Sequence, residues 1–197
     1  MHRTGARVQN FAWRTPCLGL LLCICLSTGC GDETEEAPLP PRSLVDHFAW
    51  VTHQTDIYPH PVESRAVVPC LMDESIRFEA LGGESTLAVD TDECNFAYIT
   101  QPSLSVVRRG ENIALRIWNW QLTAPTEATA KLAVEIGSHL MWSETINIPN
   151  NSSIHALNWT APERIPEGTP IRFFVSNHGQ NEYNFIEMSA GKTLQLD

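Results

Sequence analysis

The segment that decides the fold is NIALRIWNW, residues 112–120. Large aliphatic residues occupy alternate positions from 113 to 117, and the other series of positions, from 116 to 120, carries larger polar and aromatic side chains. The aliphatic set is Ile113, Leu115 and Ile117, and the alternate set is Arg116, Trp118 and Trp120. Because successive side chains of a β-strand point to opposite faces of a sheet, this alternation predicts a strand with one face in a hydrophobic core.

Similar short runs lie on both sides of this segment, separated by glycine, proline or asparagine. We predict further strands over residues 75–81, 85–89, 95–100, 103–107, 129–136, 140–148, 154–159, 171–176 and 183–188. Many short strands at this spacing, with no sustained helical period, predict an all-β fold. The economical arrangement is an antiparallel two-sheet β-sandwich of jelly-roll type, with about eight to ten strands, whose inner faces bury each other.

The rhythm of strands and turns over most of residues 70–190 is similar to that of galactose-binding-like and carbohydrate-binding-module sandwiches. This resemblance rests on strand spacing alone, since no motif of either family is matched residue by residue. It implies a β-sandwich, and it makes a carbohydrate the first class of ligand to consider.

The strands on either side of the Gly-Ser turn at 137–138 can pair in two registers. A two-residue loop would place Ile136 opposite His139, whereas a three-residue loop would place Ile136 opposite Leu140. The buried face of a strand sets its register. We therefore predict the odd-numbered loop, which brings the aliphatic residues of both strands onto one face.

The first thirty residues read as an export signal. A basic stretch precedes an apolar run over residues 17–26, and small residues lead to Cys30, the order that is typical of a cleaved signal peptide. The run is too short to span a membrane. The sequence LSTGC resembles the bacterial lipobox, which implies removal of residues 1–29 and lipidation of Cys30. Ordinary secretory cleavage near Gly29 is the alternative.

The rest of the chain has two parts. Residues 30–43 hold the acylated cysteine followed by an acidic, proline-containing stretch, which predicts a solvated tether. Residues 44–197 have the size of one domain and form the predicted β-sandwich. Gly31, directly after the cysteine, does not look like an inner-membrane retention signal. By resemblance to lipoprotein sorting, we expect an exported protein anchored in the bacterial outer membrane.

The net charge limits the class of binding partner, and the cysteines indicate the compartment in which the protein folds. The chain has a net charge of −10, and loss of the arginine-bearing leader makes it more acidic, so nucleic acid is excluded as a partner. Three of the six cysteines leave with the leader, and Cys30 carries the lipid. Cys70 and Cys94 remain and are expected to form a disulfide in an oxidising compartment. A metal or redox pair is the alternative, but it lacks the C-x-x-C spacing.

No catalytic motif stands out in the sequence. It contains no G-x-S-x-G, H-E-x-x-H or P-loop pattern, and we predict a protein that is not an enzyme and has no cofactor and no metal. His47, His53 and His60 have a spacing that fits no zinc site and are expected to be solvated loop residues. A glycosidase needs only two carboxylates from distant parts of the chain, so such an enzyme stays an alternative.

The first predicted ligand-binding group is Arg116, Trp118 and Trp120. If the aliphatic face of their strand lies in the core, these three side chains face outward together. Flat rings beside a planar donor suit the binding of a sugar or a protein, and a monomer seldom exposes such apolar area without a use. In the alternative interpretation, a bulge or the end of the strand turns the tryptophans inward.

The second predicted group is Asn177, His178 and Asn181, in a polar run between two apolar strands. Loops at the ends of a sandwich commonly carry binding residues, and amide and imidazole groups recognise hydroxyls because they both donate and accept hydrogen bonds. Alternatively, the run is a plain connecting loop whose asparagines bond to their own backbone.

Taken together, these features predict a lipid-anchored cell-envelope protein with a non-catalytic binding domain. Its membrane contact is the N-terminal lipid, and its ligand is a glycan or another envelope component. Two alternatives stay open, namely a structural or assembly lipoprotein with a protein partner, and a glycosidase- or lyase-like enzyme.

Overall fold

The computed structural model describes residues 37–53 and 67–196. Cys30, the export signal and most of the tether lie outside the described residues, so the predictions made for them stay predictions. Within the described ranges every regular element is a strand. These ranges contain no helix that is long and apolar enough to cross a bilayer.

Eleven strands form in the described part of the chain. They are β1 Arg42–Ser43, β2 Val51–Thr52, β3 Ile76–Leu81, β4 Glu84–Asp90, β5 Phe96–Pro102, β6 Asn112–Asn119, β7 Ala128–Ile136, β8 His139–Ile148, β9 Ser153–Thr160, β10 Pro170–Ser176 and β11 Glu182–Ala190. Nine of them match predicted strands. The short β1 and β2 were not predicted, because two residues carry no periodic signal.

The strands form two antiparallel sheets. Sheet A has the order β3-β4-β11-β6-β9, with β1 paired to the end of β11. Sheet B has the order β2-β5-β10-β7-β8. The prediction of an all-β, antiparallel two-sheet sandwich of jelly-roll type is confirmed.

The inner faces of the two sheets form one core. Ile113, Leu115 and Ile117 of β6 are completely buried, as their alternation predicted. Phe173 of sheet B meets Phe185 of sheet A edge to face, with ring centroids 5.3 Å apart. Each buried side chain of this size contributes about 1.5 to 3 kcal/mol of hydrophobic stabilisation.

The strand predicted at 103–107 does not form. Leu104 donates its backbone N–H to the carbonyl of Leu44, while Val107 makes an isolated bridge with Ile165. The backbone groups of this segment therefore pair with two separate parts of the chain, and no continuous ladder results.

The loop between β7 and β8 also differs from the prediction. It contains two residues, Gly137 and Ser138, and Ile136 pairs directly with His139, so the predicted odd-numbered loop is wrong. Gly137 has a φ of 59° at the first central position of the turn, where two-residue hairpins of type II′ require glycine.

A β-bulge explains how the two-residue loop satisfies the hydrophobic pattern. Glu135 pairs with Leu140 and Val134 pairs with Trp142, so Met141 has no partner opposite it. The extra residue shifts the remaining ladder by one position. It restores the pairing of Val134 with Trp142 that a three-residue loop would have produced, and Met141 itself is buried.

The predicted disulfide between Cys70 and Cys94 is confirmed, with a Cα–Cα distance of 5.1 Å. It ties the segment before β3 to the segment before β5, which belong to different sheets. By the chain-entropy relation, closing a loop of this length stabilises the fold by about 3.5 kcal/mol.

Candidate functional site

The structure places the first predicted group on the outer face of sheet A. Because the aliphatic residues of β6 point into the core, Arg116, Trp118 and Trp120 point outward. Trp120, just beyond the last residue of β6, is 47% exposed, whereas Trp118 is half-buried and Arg116 is mostly covered.

Trp118 and Trp120 form a corner rather than a flat platform. Their ring centroids are 6.0 Å apart and their planes meet at 89°. The Trp118 indole nitrogen is buried and bonds to no group in the part of the chain that the structure describes. On the neighbouring edge strand, Ile154 pairs with Trp118 in the ladder and is 48% exposed. The result is an apolar corner at the rim of sheet A.

Glu182 on β11 fixes the orientation of the exposed ring. Its Oε1 accepts a hydrogen bond of 2.9 Å from the Trp120 indole N–H and another of 2.9 Å from the Asn184 amide. Its Oε2 accepts a hydrogen bond of 2.9 Å from Arg77 on β3. Asn184 is fully buried and its amide oxygen accepts a bond from the Thr86 hydroxyl. A polar network across three other strands therefore supports Trp120.

Arg116 is already bound to two carboxylates on this face. It contacts Glu84 through both terminal nitrogens and donates from Nε to Glu187 at 2.7 Å. Lys192 also contacts Glu187, at 2.6 Å. Arg116 therefore organises the face more than it offers an unused donor to a ligand.

Burial alone would raise the pKa of the Glu187 carboxyl. Hydrogen bonds from Lys192, Ser189 and Arg116 outweigh that effect and hold this pKa below its ordinary value. The Arg116 pKa is raised, first by its hydrogen bond to Glu84 and also by Glu187. Both groups are consequently charged at neutral pH, and the carboxylate is poorly suited to donating a proton.

In the second predicted group, two of the three residues are structural. Asn177 is completely buried and Asn181 is 5% exposed, so neither can face a ligand. Their amides bond to each other at 3.1 Å, and the Tyr183 hydroxyl donates to Asn177 at 2.6 Å. Buried polar side chains require such partners. His178, between them, is exposed and can face a ligand.

His178 lines a cleft of about 640 Å³ at one end of sheet B. The cleft has a mixed polar and apolar lining of seven described residues: Glu127, Ala128, Thr129, Asn147, Ile148, Pro149 and His178. The polar residues of β7 and β8 in this set, Thr129 and Asn147, were not among the predicted site residues. In the sequence they resemble ordinary residues at the end of a strand. Only the fold brings the β7–β8 hairpin next to the loop between β10 and β11.

The described residues contain no cluster of three or more histidine, cysteine, aspartate or glutamate side chains arranged to hold a metal ion. His47, which was expected to be a solvated loop residue, is half-buried and bonds through Nε2 to the Ile186 carbonyl oxygen at 3.0 Å. Burial lowers its pKa. His60 lies outside the described residues.

No protein-family model matches the chain, and no curated protein matches it. Among solved structures it is similar to the enzymatically active domain of tailspike protein 4 of bacteriophage CBA120, with 16% identity, a TM-score of 0.43 and 73% of this chain covered. The match spans only 19% of the tailspike chain.

The chain is also similar to CBM28, a carbohydrate-binding module specific for non-crystalline cellulose, with 9% identity and a TM-score of 0.41 over 57% of this chain and 76% of the module. The N-terminal cellulose-binding domain of Cellulomonas fimi β-1,4-glucanase C gives 13% identity and a TM-score of 0.38 over 56% and 80%.

Proposed function

We propose that this chain is an exported, lipid-anchored cell-envelope protein whose β-sandwich binds a glycan without transforming it. The observation that carries the proposal is the tryptophan corner, defined as Trp118 and Trp120, with the exposed Trp120 ring held by Glu182. The lipid anchor is argued from the sequence at Cys30.

The chemistry of the corner suits a sugar. A pyranose ring has an apolar face of C–H groups, which packs against an indole, and a periphery of hydroxyls, which needs donors and acceptors. Glu182, which is bonded to the Trp120 ring, also contacts Arg77, and Arg77 contacts Asp90, so polar groups of both kinds belong to the network that holds the ring.

Ion pairing on the outer face of sheet A favours binding over catalysis. A glycosidase of the common type needs one carboxylic acid with a raised pKa to protonate the leaving group. On this face Arg77 contacts Glu79, Asp90 and Glu182, and Arg116 contacts Glu84 and Glu187. Each of these carboxylates is paired with a cation, and the hydrogen bonds to Glu187 hold the pKa of its carboxyl below the ordinary value.

A glycan array followed by binding to insoluble polysaccharides tests this function. The mature protein is compared with its Trp120→Ala variant, which should bind the selected glycan about 2 kcal/mol more weakly, the size of an interface hot spot. Leu140→Ala is the matched control, because Leu140 is an apolar side chain on sheet B that is 52% exposed. Equal binding by all three proteins would show that the tryptophan corner does not bind the glycan.

A structural or assembly role with a protein partner is the second candidate. Phe48 is 74% exposed and stacks on Phe78, itself 40% exposed, with ring centroids 4.1 Å apart. Exposed stacked aromatics are typical of protein interfaces. Cross-linking in intact cells tests this candidate, since a partner captured by the wild type and lost in Phe48→Ala would favour it.

A further inference from the structure

The loop between β10 and β11 is fastened to the loop between β6 and β7 by one buried amide. Asn181 accepts a hydrogen bond of 2.7 Å from the backbone N–H of Thr123 and donates one of 3.1 Å to the carbonyl oxygen of the same residue. The side-chain amide therefore bonds to both backbone groups of Thr123, as a residue of a neighbouring strand would. Asn181 is 5% exposed.

Gly179 makes this close approach of the two loops possible. A Cβ atom at this position would lie 2.5 Å from the Thr123 carbonyl oxygen, and the backbone φ of Gly179 is 120°. Both the space and the conformation therefore require glycine. Any other residue would push the two loops apart.

A second layer of buried polar groups holds Asn181 in place. The Thr91 hydroxyl donates to the Asn181 carbonyl oxygen at 2.7 Å, and it accepts bonds from the Asn181 backbone N–H and the Asn177 amide. Every member of this network is buried. Such a network is costly if any member loses its partner, so it specifies one arrangement of the loops.

Both fastened loops contribute residues to the lining of the cleft of about 640 Å³. Glu127 comes from the β6–β7 loop and His178 from the β10–β11 loop, while Thr129 and Asn147 come from the ends of β7 and β8. A preformed concave site of this size falls in the range of small-molecule pockets. Rigid walls lower the ordering cost of binding.

We propose that this cleft is a second ligand site, which takes a neutral, hydroxyl-rich molecule the size of one or two sugar units. Its polar lining consists of carboxylate, hydroxyl, amide and imidazole groups, which suit hydroxyls. Glu127 disfavours an anion, and the described lining residues include no lysine or arginine. The proposal shares only its ligand class with the proposed function, since the tryptophan corner belongs to sheet A and the cleft to sheet B.

Within this site the two predicted asparagines gain a defined role. Asn177 and Asn181 position the walls and do not contact the ligand, whereas Glu127, Asn147 and His178 contact it. Asn181→Asp keeps the size of the side chain but removes the amide donor to Thr123. It should therefore weaken binding without removing any group that meets the ligand.

The test titrates the mature protein with D-glucose, D-galactose, D-mannose and N-acetyl-D-glucosamine, each followed by backbone amide chemical shifts. At least one sugar should give saturable shifts at residues 127–129, 147, 148 and 178. Glu127→Gln should weaken that binding about tenfold, because a hydrogen bond to a charged group is lost. Glu167→Gln, an exposed site at the opposite end of the sandwich, is the control and should change nothing.

The proposal is overturned if none of the four sugars shifts these amides, or if Glu127→Gln and Asn147→Ala bind as tightly as the wild type. Trp120→Ala separates it from the proposed function. That variant should bind polysaccharide more weakly and keep the sugar titration at the cleft. Polysaccharide binding that depends on Trp120, together with an unresponsive cleft, would overturn the second site alone.

Discussion

Trp120 and Glu182 are joined by a hydrogen bond of 2.9 Å from the indole N–H to Oε1, although 62 residues separate them in the chain. The bond leaves the ring 47% exposed while removing its rotational freedom. Because an exposed ring that is already ordered loses little entropy on binding, this pairing prepares the tryptophan corner for a ligand.

Glu182→Leu should disturb both the corner and the sheet beneath it. The buried Asn184 amide would lose its acceptor and Trp120 its anchor, and an unsatisfied buried donor costs about 1 to 3 kcal/mol. Urea unfolding should show a loss of this size together with weaker glycan binding. Glu79→Leu is the control, since Glu79 contacts Arg77 from the same face and its side chain is more exposed than that of Glu182. Equal stability of the two variants would contradict the role of Glu182.

The two tryptophans should differ in their contribution to stability. Trp120→Ala should change the free energy of unfolding by less than about 1 kcal/mol, because the ring is half exposed. Trp118→Ala should cost about 2 kcal/mol, less than the 3 to 5 kcal/mol of a fully buried ring. Thermal unfolding of the two variants measures this. A large loss in Trp120→Ala would show that this ring belongs to the core.

Acid should destabilise the protein partly through Glu187. Its pKa in the folded state lies below the ordinary value of 4.5, so its stabilisation is complete above that value and is lost as the pH falls through the folded pKa. Glu187→Gln should therefore unfold more easily at neutral pH and show a shallower loss of stability down to about pH 3. Urea unfolding across this range checks the sign. A slope identical to that of the wild type would exclude Glu187 as a contributor.

Removal of the disulfide should be costly. The double variant Cys70→Ser, Cys94→Ser should lose about 3.5 kcal/mol of stability, because the loop between the two positions becomes unconstrained in the unfolded chain. Urea unfolding of the variant and the wild type measures the difference. The purified mature protein should also show no free thiol at either position under denaturing, non-reducing conditions. Detection of two thiols there would contradict the bridge.

Membrane attachment should depend on Cys30. The wild type should partition into the detergent phase, whereas Cys30→Ser should remain an uncleaved or soluble precursor. Equal partitioning of the two proteins would remove the lipoprotein interpretation and leave ordinary secretion as the export route.

Local periodicity was sufficient to predict the sandwich, because a strand with one buried face carries apolar residues at alternate positions of its own sequence. In β6 the aliphatic residues that were expected in the core are fully buried. The length of the hairpin loop was mispredicted. The loop has two residues, and a bulge at Met141 shifts the rest of the ladder to the pairing that was expected from a three-residue loop. Loop length alone cannot reveal such a compensation.

The polar partners of the tryptophan corner could not be predicted, since they depend on which strands become neighbours. Arg77 and Glu182 lie 105 residues apart and meet only because β3, β4 and β11 are consecutive in sheet A. The asparagines of the β10–β11 loop were mistaken for ligand-facing groups. An amide that recognises a hydroxyl and one that fastens two loops look the same in sequence.

The most direct test of the glycan-binding account follows the indole N–H signal of Trp120, assigned by its absence in Trp120→Phe. This N–H is bonded to Glu182 at the exposed rim of sheet A. Addition of the glycan selected by the array should shift this signal in a saturable way and leave those of Trp142 in β8 and Trp159 in β9 in place. A bound glycan that moves other signals while the Trp120 resonance stays fixed would contradict the account, because the binding site would then lie elsewhere.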